Sequence, residues 1–528
     1  MTLGRYLLSA ALFLACLNTA VHGTEAQVSA GGEILQGVIE SNGVLSFRGI
    51  PYAAPPLGEL RWRAPQPTTP RTGVQDATTF AAGCYQDDYN TQWYRDVGEA
   101  FGEPRRNFQD PPFSEDCLYL NVWTPAVDQG KRPVMVWIHG GSNKAGWSFE
   151  VNYQGQYLAD HGDVVVVSVG YRLGVFSVFS LPEMRAQLAP SNYGLLDQIA
   201  ALQWVQDYIH IFGGDPKNVT VFGESAGAAS VGYLLMSPLA TGLFQRGISQ
   251  SGGFQLMSNE PLSTAEATGT AVAKQLGAEN LADMKRKSAE HVFVAARDAL
   301  PNHYYAPVVD GYSMTQSPAE FLNYQLPTID LLLGSNDNEL HMYLDNSQDA
   351  FEQTLLSWPT SIRPFMRERA DQEATVQAGH DVVSTLVDMV CANYHLANHA
   401  VQAGKRAWVY RFTRVRPGPG GEALLSYHGA EIPYVFNTHD EWLTGNVVEK
   451  RLSNQMMSYW ANFARTGDPN DSQLPAWPPF NDKQPQVMEL GDQSQAMAAP
   501  DYGLCEKIYP TLLPTNMTGI HNNHNSGS

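Results

Sequence analysis

The segment Gly223-Glu224-Ser225-Ala226-Gly227 reads G-x-S-x-G, with the short apolar run Val219-Thr220-Val221-Phe222 before it and the helix-like stretch from Ala228 to Leu235 after it. Strand, sharp turn and helix around a serine make a nucleophile elbow. Small residues on both sides of Ser225 allow a strained turn that lifts a hydroxyl clear of a sheet, where a base can reach it. The predicted chemistry is acyl transfer, with Ser225 as nucleophile. A second segment, His139-Gly140-Gly141-Ser142, follows directly on an apolar run. Glycines at such a point let backbone N–H groups aim into a cleft, where they hold the negative charge that develops on a carbonyl oxygen under attack. Gly140, Gly141 and Ser142, with the amide of Ala226, are the expected oxyanion hole. The plainer alternative is an ordinary glycine turn.

These groups need a sheet to carry them. Pro133 to His139 and Val164 to Val169 are continuous apolar runs, as expected of central strands covered on both faces. From Leu195 to Ile211 apolar residues recur at helical spacing, and Phe212-Gly213-Gly214-Asp215-Pro216 ends the run. Strand, helix, strand and then elbow predicts a doubly wound α/β layout, with the reacting groups where strands finish and helices begin.

The chain has 528 residues, 43% of them hydrophobic, enough for a large core. No linker, charge block or repeat interrupts it between about residue 30 and residue 515, so a single large domain over 24–515 is expected, followed by a disordered tail at 516–528. One Arg, an apolar stretch from Tyr6 to Leu17 and small residues ending at Gly23 predict a signal peptide over 1–23 and a secreted or periplasmic protein. Phe13-Leu14-Ala15-Cys16 offers a lesser alternative, a lipid-anchored Cys16. No later run is long enough to span a bilayer. Beyond the signal, four cysteines remain (Cys84, Cys117, Cys391 and Cys505) and predict two disulfides, with three pairings open. A net charge of -20 argues against nucleic acid as a partner.

Longer segments resemble the type B carboxylesterases, the family that includes the cholinesterases. The resemblance is carried by Phe47-Arg48-Gly49-Ile50-Pro51-Tyr52-Ala53-Ala54-Pro55-Pro56, Ser114-Glu115-Asp116-Cys117-Leu118-Tyr119-Leu120-Asn121-Val122-Trp123, the elbow itself, Gln250-Ser251-Gly252, Pro307-Val308-Val309-Asp310-Gly311 and the stretch from Trp460 to Pro469. It implies an α/β-hydrolase fold, a mostly parallel doubly wound sheet with helical insertions that form a gorge. It also implies disulfides Cys84–Cys117 and Cys391–Cys505 and a Ser-Glu-His triad that acts without metal or organic cofactor. Gly334-Ser335-Asn336-Asp337-Asn338-Glu339 matches the family's acid loop and places the carboxylate at Glu339. Leu340 stands where relatives usually have Gly, which leaves Asp337 as a rival. Ser426-Tyr427-His428-Gly429-Ala430-Glu431 matches the histidine loop and makes His428 the base.

Other residues divide between scaffold and specificity. Arg48 with Glu115 or Asp116, and Arg172 with Asp197, resemble the family's buried ion pairs. Ser251 and Glu224 are expected beside the triad. The sequons at Asn218, Asn470 and Asn516 matter only if the host glycosylates exported proteins. After the oxyanion glycines this chain reads Ser142-Asn143-Lys144, where many relatives continue with another Gly and an aromatic. The first disulfide loop also carries Trp93, Tyr94, Phe101, Arg105 and Arg106. Secreted bacterial members with similar loops include esterases that remove tricarboxylic acid side chains from fungal sphingoid toxins, and a polyacid ester would suit Asn143, Lys144, Arg105 and Arg106. The opposing reading is that these cations are solvated rim charges, and the net acidity favours it. Some relatives have lost the serine and serve as adhesion ectodomains; that alternative class is weakened here by the presence of Ser225, Glu339 and His428.

Overall fold

The computed structural model describes residues 26–30, 32–69, 71–253, 260–301, 303–324, 328–443 and 445–512. The expected signal segment, Cys16, the tail at 516–528 and the Asn516 sequon lie outside them.

Eleven strands form one sheet: β1 Val38–Ile39, β2 Leu45–Pro51, β3 Tyr119–Thr124, β4 Arg132–Ile138, β5 Val165–Val169, β6 Gly214–Glu224, β7 Arg246–Gln250, β8 Asp330–Asn336, β9 Ala407–Phe412, β10 Gln486–Leu490 and β11 Gln495–Ala498. Their spatial order is β11-β10-β9-β8-β7-β6-β4-β5-β3-β2-β1. From β5 through β10 neighbours run parallel, and the pairs at both edges are antiparallel. Of the two strands expected from apolar runs, the first appears shifted by one residue at both ends and the second starts one residue later, as fraying at strand ends allows.

Five helices matter for the site: α1 Tyr89–Ala100, α2 Tyr193–Tyr208, α3 Ala226–Met236, α4 Val376–Thr385 and α5 Val447–Thr466. Residue alternation along the strands builds a core on each face of the sheet. Val134, Val136 and Ile138 of β4 join the cluster that holds Leu202 and Val205 of α2 and Val231 and Leu234 of α3. Met135 and Trp137 point the other way, into the cluster of Met456, Trp460 and Phe463 of α5. Each such side chain contributes roughly 1.5–3 kcal/mol when fully buried. Helix α5 starts at a capping box formed by Asn446 and Glu449 and stops at Gly467, whose φ of 74° suits a residue without Cβ.

Two disulfides form, Cys84–Cys117 and Cys391–Cys505. Arg172 meets Asp197 at 2.7 Å as expected. The pairing expected for Arg48 does not occur. Its guanidinium reaches Glu40 at 2.5 Å and covers the Phe80 ring, because it sits where the register of β2 shifts between Phe47 and Ile50. Glu115 is instead held by Arg61, at 2.6 and 2.5 Å, and Asp116 accepts from the Tyr119 hydroxyl. The amides of Asn218 and Asn470 are engaged by Arg465 and Arg246, and by Asp468 and Trp477, so neither sequon offers a free side chain. Among the described residues, no helix is long and apolar enough to cross a membrane.

Candidate active site

Ser225 stands between the end of β6 and the start of α3 with φ 57° and ψ -124°, a conformation that few L-residues adopt. Its neighbours explain how the turn is held. A Cβ on Gly227 would lie 2.0 Å from the Ile138 carbonyl, and one on Gly223 would lie 2.6 Å from Gly227 carbon. Glycine at both positions lets β6, α3 and the end of β4 close on one another. The Ser225 N–H donates to the Gln250 carbonyl at 2.9 Å, which ties the elbow to the end of β7.

The loop after β4 lies against this turn. A Cβ on Gly140 would come within 3.1 Å of the Ser225 Cβ and 2.8 Å of the Glu224 carbonyl, so only glycine allows the approach. Gly141 follows at φ 102°, and Ser142 and Asn143 are also left-handed at 56° and 57°. Among the described residues, none accepts the backbone N–H of Gly140, Gly141 or Ala226, which leaves those donors available to an anion. Ser142 shares the loop, but its own strained backbone is all that the structure adds to its role. The loop is locked from behind. Gln86 exchanges two hydrogen bonds with Gly146, each of 2.7 Å. Buried Glu150 accepts from Asn90, Trp147 N–H and the Tyr94 hydroxyl. His139 stacks on Tyr171 with its Nδ1 at 2.8 Å from the Gly140 carbonyl, and burial lowers its pKa to about 4, so it is neutral.

His428 lies in a loop between β9 and α5, and its Nδ1 is 2.6 Å from Glu339 Oε2. A carboxylate only accepts, so Nδ1 carries the hydrogen and Nε2 faces the elbow. Glu339, after β8, is fully buried. Its Oε1 accepts from the Ser251 hydroxyl at 2.5 Å and the Asn336 N–H at 2.6 Å. Asp337, the rival acid, points away and pairs with Arg411 at 2.5 Å. Leu340 has φ -107°, open to any residue, so replacement of the usual glycine introduces no strain.

Glu224, the residue before Ser225, places Oε1 at 3.1 Å from His428 Nε2, which brings the elbow and the imidazole into one cleft. Burial raises Glu224 to about 8; the His428 charge opposes the rise, and Glu431, Glu339 and Glu150 reinforce it. For His428, burial pushes the pKa down, but Glu224, then Glu339 through charge and hydrogen bond, and Glu431 carry it up to about 10. Below them, Glu431 is held by Gln250 at 2.9 Å and Asn336 at 2.7 Å, and Trp460 donates to the same Gln250. The sequence reading missed Glu150, Glu431, Gln86 and Gln250. Polar residues beside a motif signal nothing by themselves; burial together with shared partners identifies them.

At the cleft wall, Trp93 Nε1 donates to the Tyr343 hydroxyl at 3.0 Å, and the Tyr343 ring lies 6.4 Å from that of His428. Lys144 donates its N–H to the Gly141 carbonyl, and its Nζ rests 4.0 Å from the Tyr89 ring centre. Burial lowers its pKa, and the charge of Asp87 opposes that. Asn143 donates to the Tyr304 hydroxyl at 3.3 Å. The other two expected substrate contacts are not assembled with these. Arg105 is neutralised by Asp96 and Glu99 of α1 at 2.7 and 2.9 Å, and Arg106 is exposed on the same short turn.

A mostly parallel sheet with helices on both faces and a strained serine at the strand-to-helix turn is the architecture of an α/β-hydrolase. The Carboxylesterase family profile matches residues 25–504. Among relatives, the acetylcholinesterase of Bungarus fasciatus is 35% identical over 86% of this chain and 80% of its own length. The phenmedipham hydrolase of Pseudarthrobacter oxydans is 33% identical over 89% and 96%. The crystal structure of the Geobacillus stearothermophilus carboxylesterase EST55 at pH 6.2 superposes with a TM-score of 0.77 at 32% identity, covering 91% of this chain and 99% of that one. The chain belongs to the carboxylesterase family and is a serine carboxylesterase, a carboxylic ester hydrolase.

Proposed function

We propose that this carboxylesterase works through an acyl-serine intermediate, with Ser225 as nucleophile, His428 as base and Glu339 as the acid that orients it. The observation that carries the reading is the 2.6 Å contact between His428 Nδ1 and buried Glu339, made in the cleft where Glu224 delivers the elbow serine. A serine hydroxyl is a poor nucleophile at neutral pH, so neutral His428 takes its proton as Oγ attacks the ester carbonyl. The N–H groups of Gly140, Gly141 and Ala226 hold the oxyanion. The imidazolium then returns the proton to the leaving alcohol, and a water activated by His428 releases the acid. Ser251 and Asn336 keep Glu339 in place.

For the substrate we infer an ester whose acyl group bears a carboxylate, a polyacid ester being the extreme case. Lys144 supports this: it follows the oxyanion glycines, and its ammonium lies over the Tyr89 ring in a partly dehydrated setting, with the charge of Asp87 acting on it. The disulfides support an oxidising, exported location for the protein, consistent with the expected signal over 1–23. The test is hydrolysis of a chromogenic short-chain ester by the wild type and by Ser225→Ala. Retained turnover in the variant overturns the nucleophile assignment.

A further inference from the structure

Asp381 in α4 is 1% exposed and touches none of the reacting groups, yet its carboxylate grips both residues that flank Glu339. Oδ2 accepts from the Asn338 amide at 2.8 Å, and Oδ1 accepts from the Leu340 N–H and the Thr385 hydroxyl, each at 3.3 Å. The link extends to the other side of the site. The Asn338 N–H donates to the Ser426 carbonyl at 3.2 Å, and Asn338 Oδ1 accepts from the Ser426 N–H at 3.4 Å, two residues before His428. One carboxylate therefore fixes the acid loop and, through Asn338, its spacing from the histidine loop.

We propose that Asp381 is a positioning residue for Glu339, setting the Glu339–His428 contact from outside the triad. The inference rests on the reading of Glu339 as the triad's acid. Charge supports it. Burial raises the Asp381 pKa to about 6 against the opposing hydrogen bonds from Asn338, Leu340 and Thr385, and Asp337 raises it further. The neighbouring cation candidate is His341, 3.7 Å away, whose own pKa is lowered by burial, so it is mostly neutral at pH 7. Because the folded pKa is raised, ionised Asp381 reduces stability as pH rises from the ordinary carboxylate range through about 6. A buried charge without a countercharge is costly to keep for packing alone. Its geometry matches a role in holding the loop.

The test uses the full chain and a neutral chromogenic ester. Asp381→Ala should lower kcat about tenfold to a hundredfold with KM within twofold, since a misplacement near 1 Å at the reacting groups has effects of this order. In a Glu339→Gln background the same change should have almost no further effect, because two residues that act through one contact are not additive. Asn338→Ala removes the link while the Leu340 N–H and the Thr385 hydroxyl still donate to Asp381, and it should give the same pattern if Asp381→Ala does not fold. Equal losses in the wild-type and Glu339→Gln backgrounds, or KM rising in step with the fall in kcat, would overturn the inference. If Glu339→Gln itself retains nearly full activity, the triad reading fails; if it is impaired while Asp381→Ala and Asn338→Ala are not, only the role of Asp381 fails.

Discussion

Glu224 Oε1 lies 3.1 Å from Nε2 of His428, the nitrogen opposite the one that faces Glu339. The imidazole thus has a carboxyl group at each end, and the one on the Nε2 side belongs to the residue before Ser225, the proposed nucleophile. With Glu224 raised to about 8 and His428 to about 10, the two titrate as a pair, and both are shifted toward their protonated forms at neutral pH. In the proposed mechanism the base must be neutral to accept the serine proton, so His428 has to lose its extra proton before Ser225 attacks.

This gives a pH prediction with a defined sign. The Glu224 charge raises His428, so Glu224→Gln lowers the imidazole pKa and extends the neutral form to lower pH. The acid limb of kcat/KM should move down by about one unit, the equivalent of roughly 1.4 kcal/mol. A pH–rate profile measured on a neutral ester checks this, and an unmoved limb or an upward shift contradicts it.

A second prediction separates the two acids of the loop after β8. Glu339 is buried and bonded to His428, whereas Asp337 is about one-third exposed and paired with Arg411. Glu339→Gln should lower kcat by several orders of magnitude, approaching the four to six orders, roughly, expected for Ser225→Ala or His428→Ala. Asp337→Asn removes an ion pair about one-third exposed, of roughly 0–1 kcal/mol, and should change turnover less than about fivefold. The assignment is lost if Asp337→Asn does the greater damage.

Much of this was legible in the sequence, for a physical reason. Central strands buried on both faces are mostly apolar, so β4 and β5 appear as runs of Val, Met, Trp and Ile, broken in β5 only by Ser168, whose hydroxyl accepts from Asn121. The elbow needs glycines at 223 and 227 because backbone occupies the space where a Cβ would stand. Arg48 went elsewhere because strand register decides which carboxylate an arginine can reach, and a bulge in β2 is invisible in composition. Arg105 looked available for a substrate because helix α1 brings Asp96 and Glu99 to it only after folding. Glu150, Glu431 and Asp381 were missed because a buried carboxylate is defined by its donors, which come from distant parts of the chain.

The third prediction concerns the disulfides. They close segments of 33 and 114 residues, and loop-closure entropy assigns them about 4 and about 5 kcal/mol respectively. Replacing both cysteines by serine should therefore lower the melting temperature in either case. Activity should separate them. Gln86, two residues after Cys84, clamps Gly146 in the oxyanion loop, so loss of Cys84–Cys117 should also reduce kcat at temperatures where the protein remains folded. Loss of Cys391–Cys505 should not. Calorimetry with parallel kinetics decides, and equal kinetic effects would show that the first loop has no special link to the site.

The last prediction concerns Lys144. Its backbone N–H is bonded to Gly141 in the oxyanion loop, and its ammonium lies over Tyr89 in a setting that already lowers its pKa. A cation partly stripped of water gains from a carboxylate that arrives with the substrate, and a charge-assisted hydrogen bond there contributes on the order of 1.5–3 kcal/mol. Lys144→Met keeps the length and the apolar stem but removes the charge. It should lower kcat/KM for esters with an anionic acyl group roughly tenfold to a hundredfold, at about 1.4 kcal/mol per decade, while neutral esters of the same acyl length change little. Raising the salt concentration should erode the wild type's preference for the anionic ester, but only modestly because the contact is partly enclosed. An equal loss on both substrates would make Lys144 a support of the oxyanion loop, and no loss on either would leave it a charge of the rim.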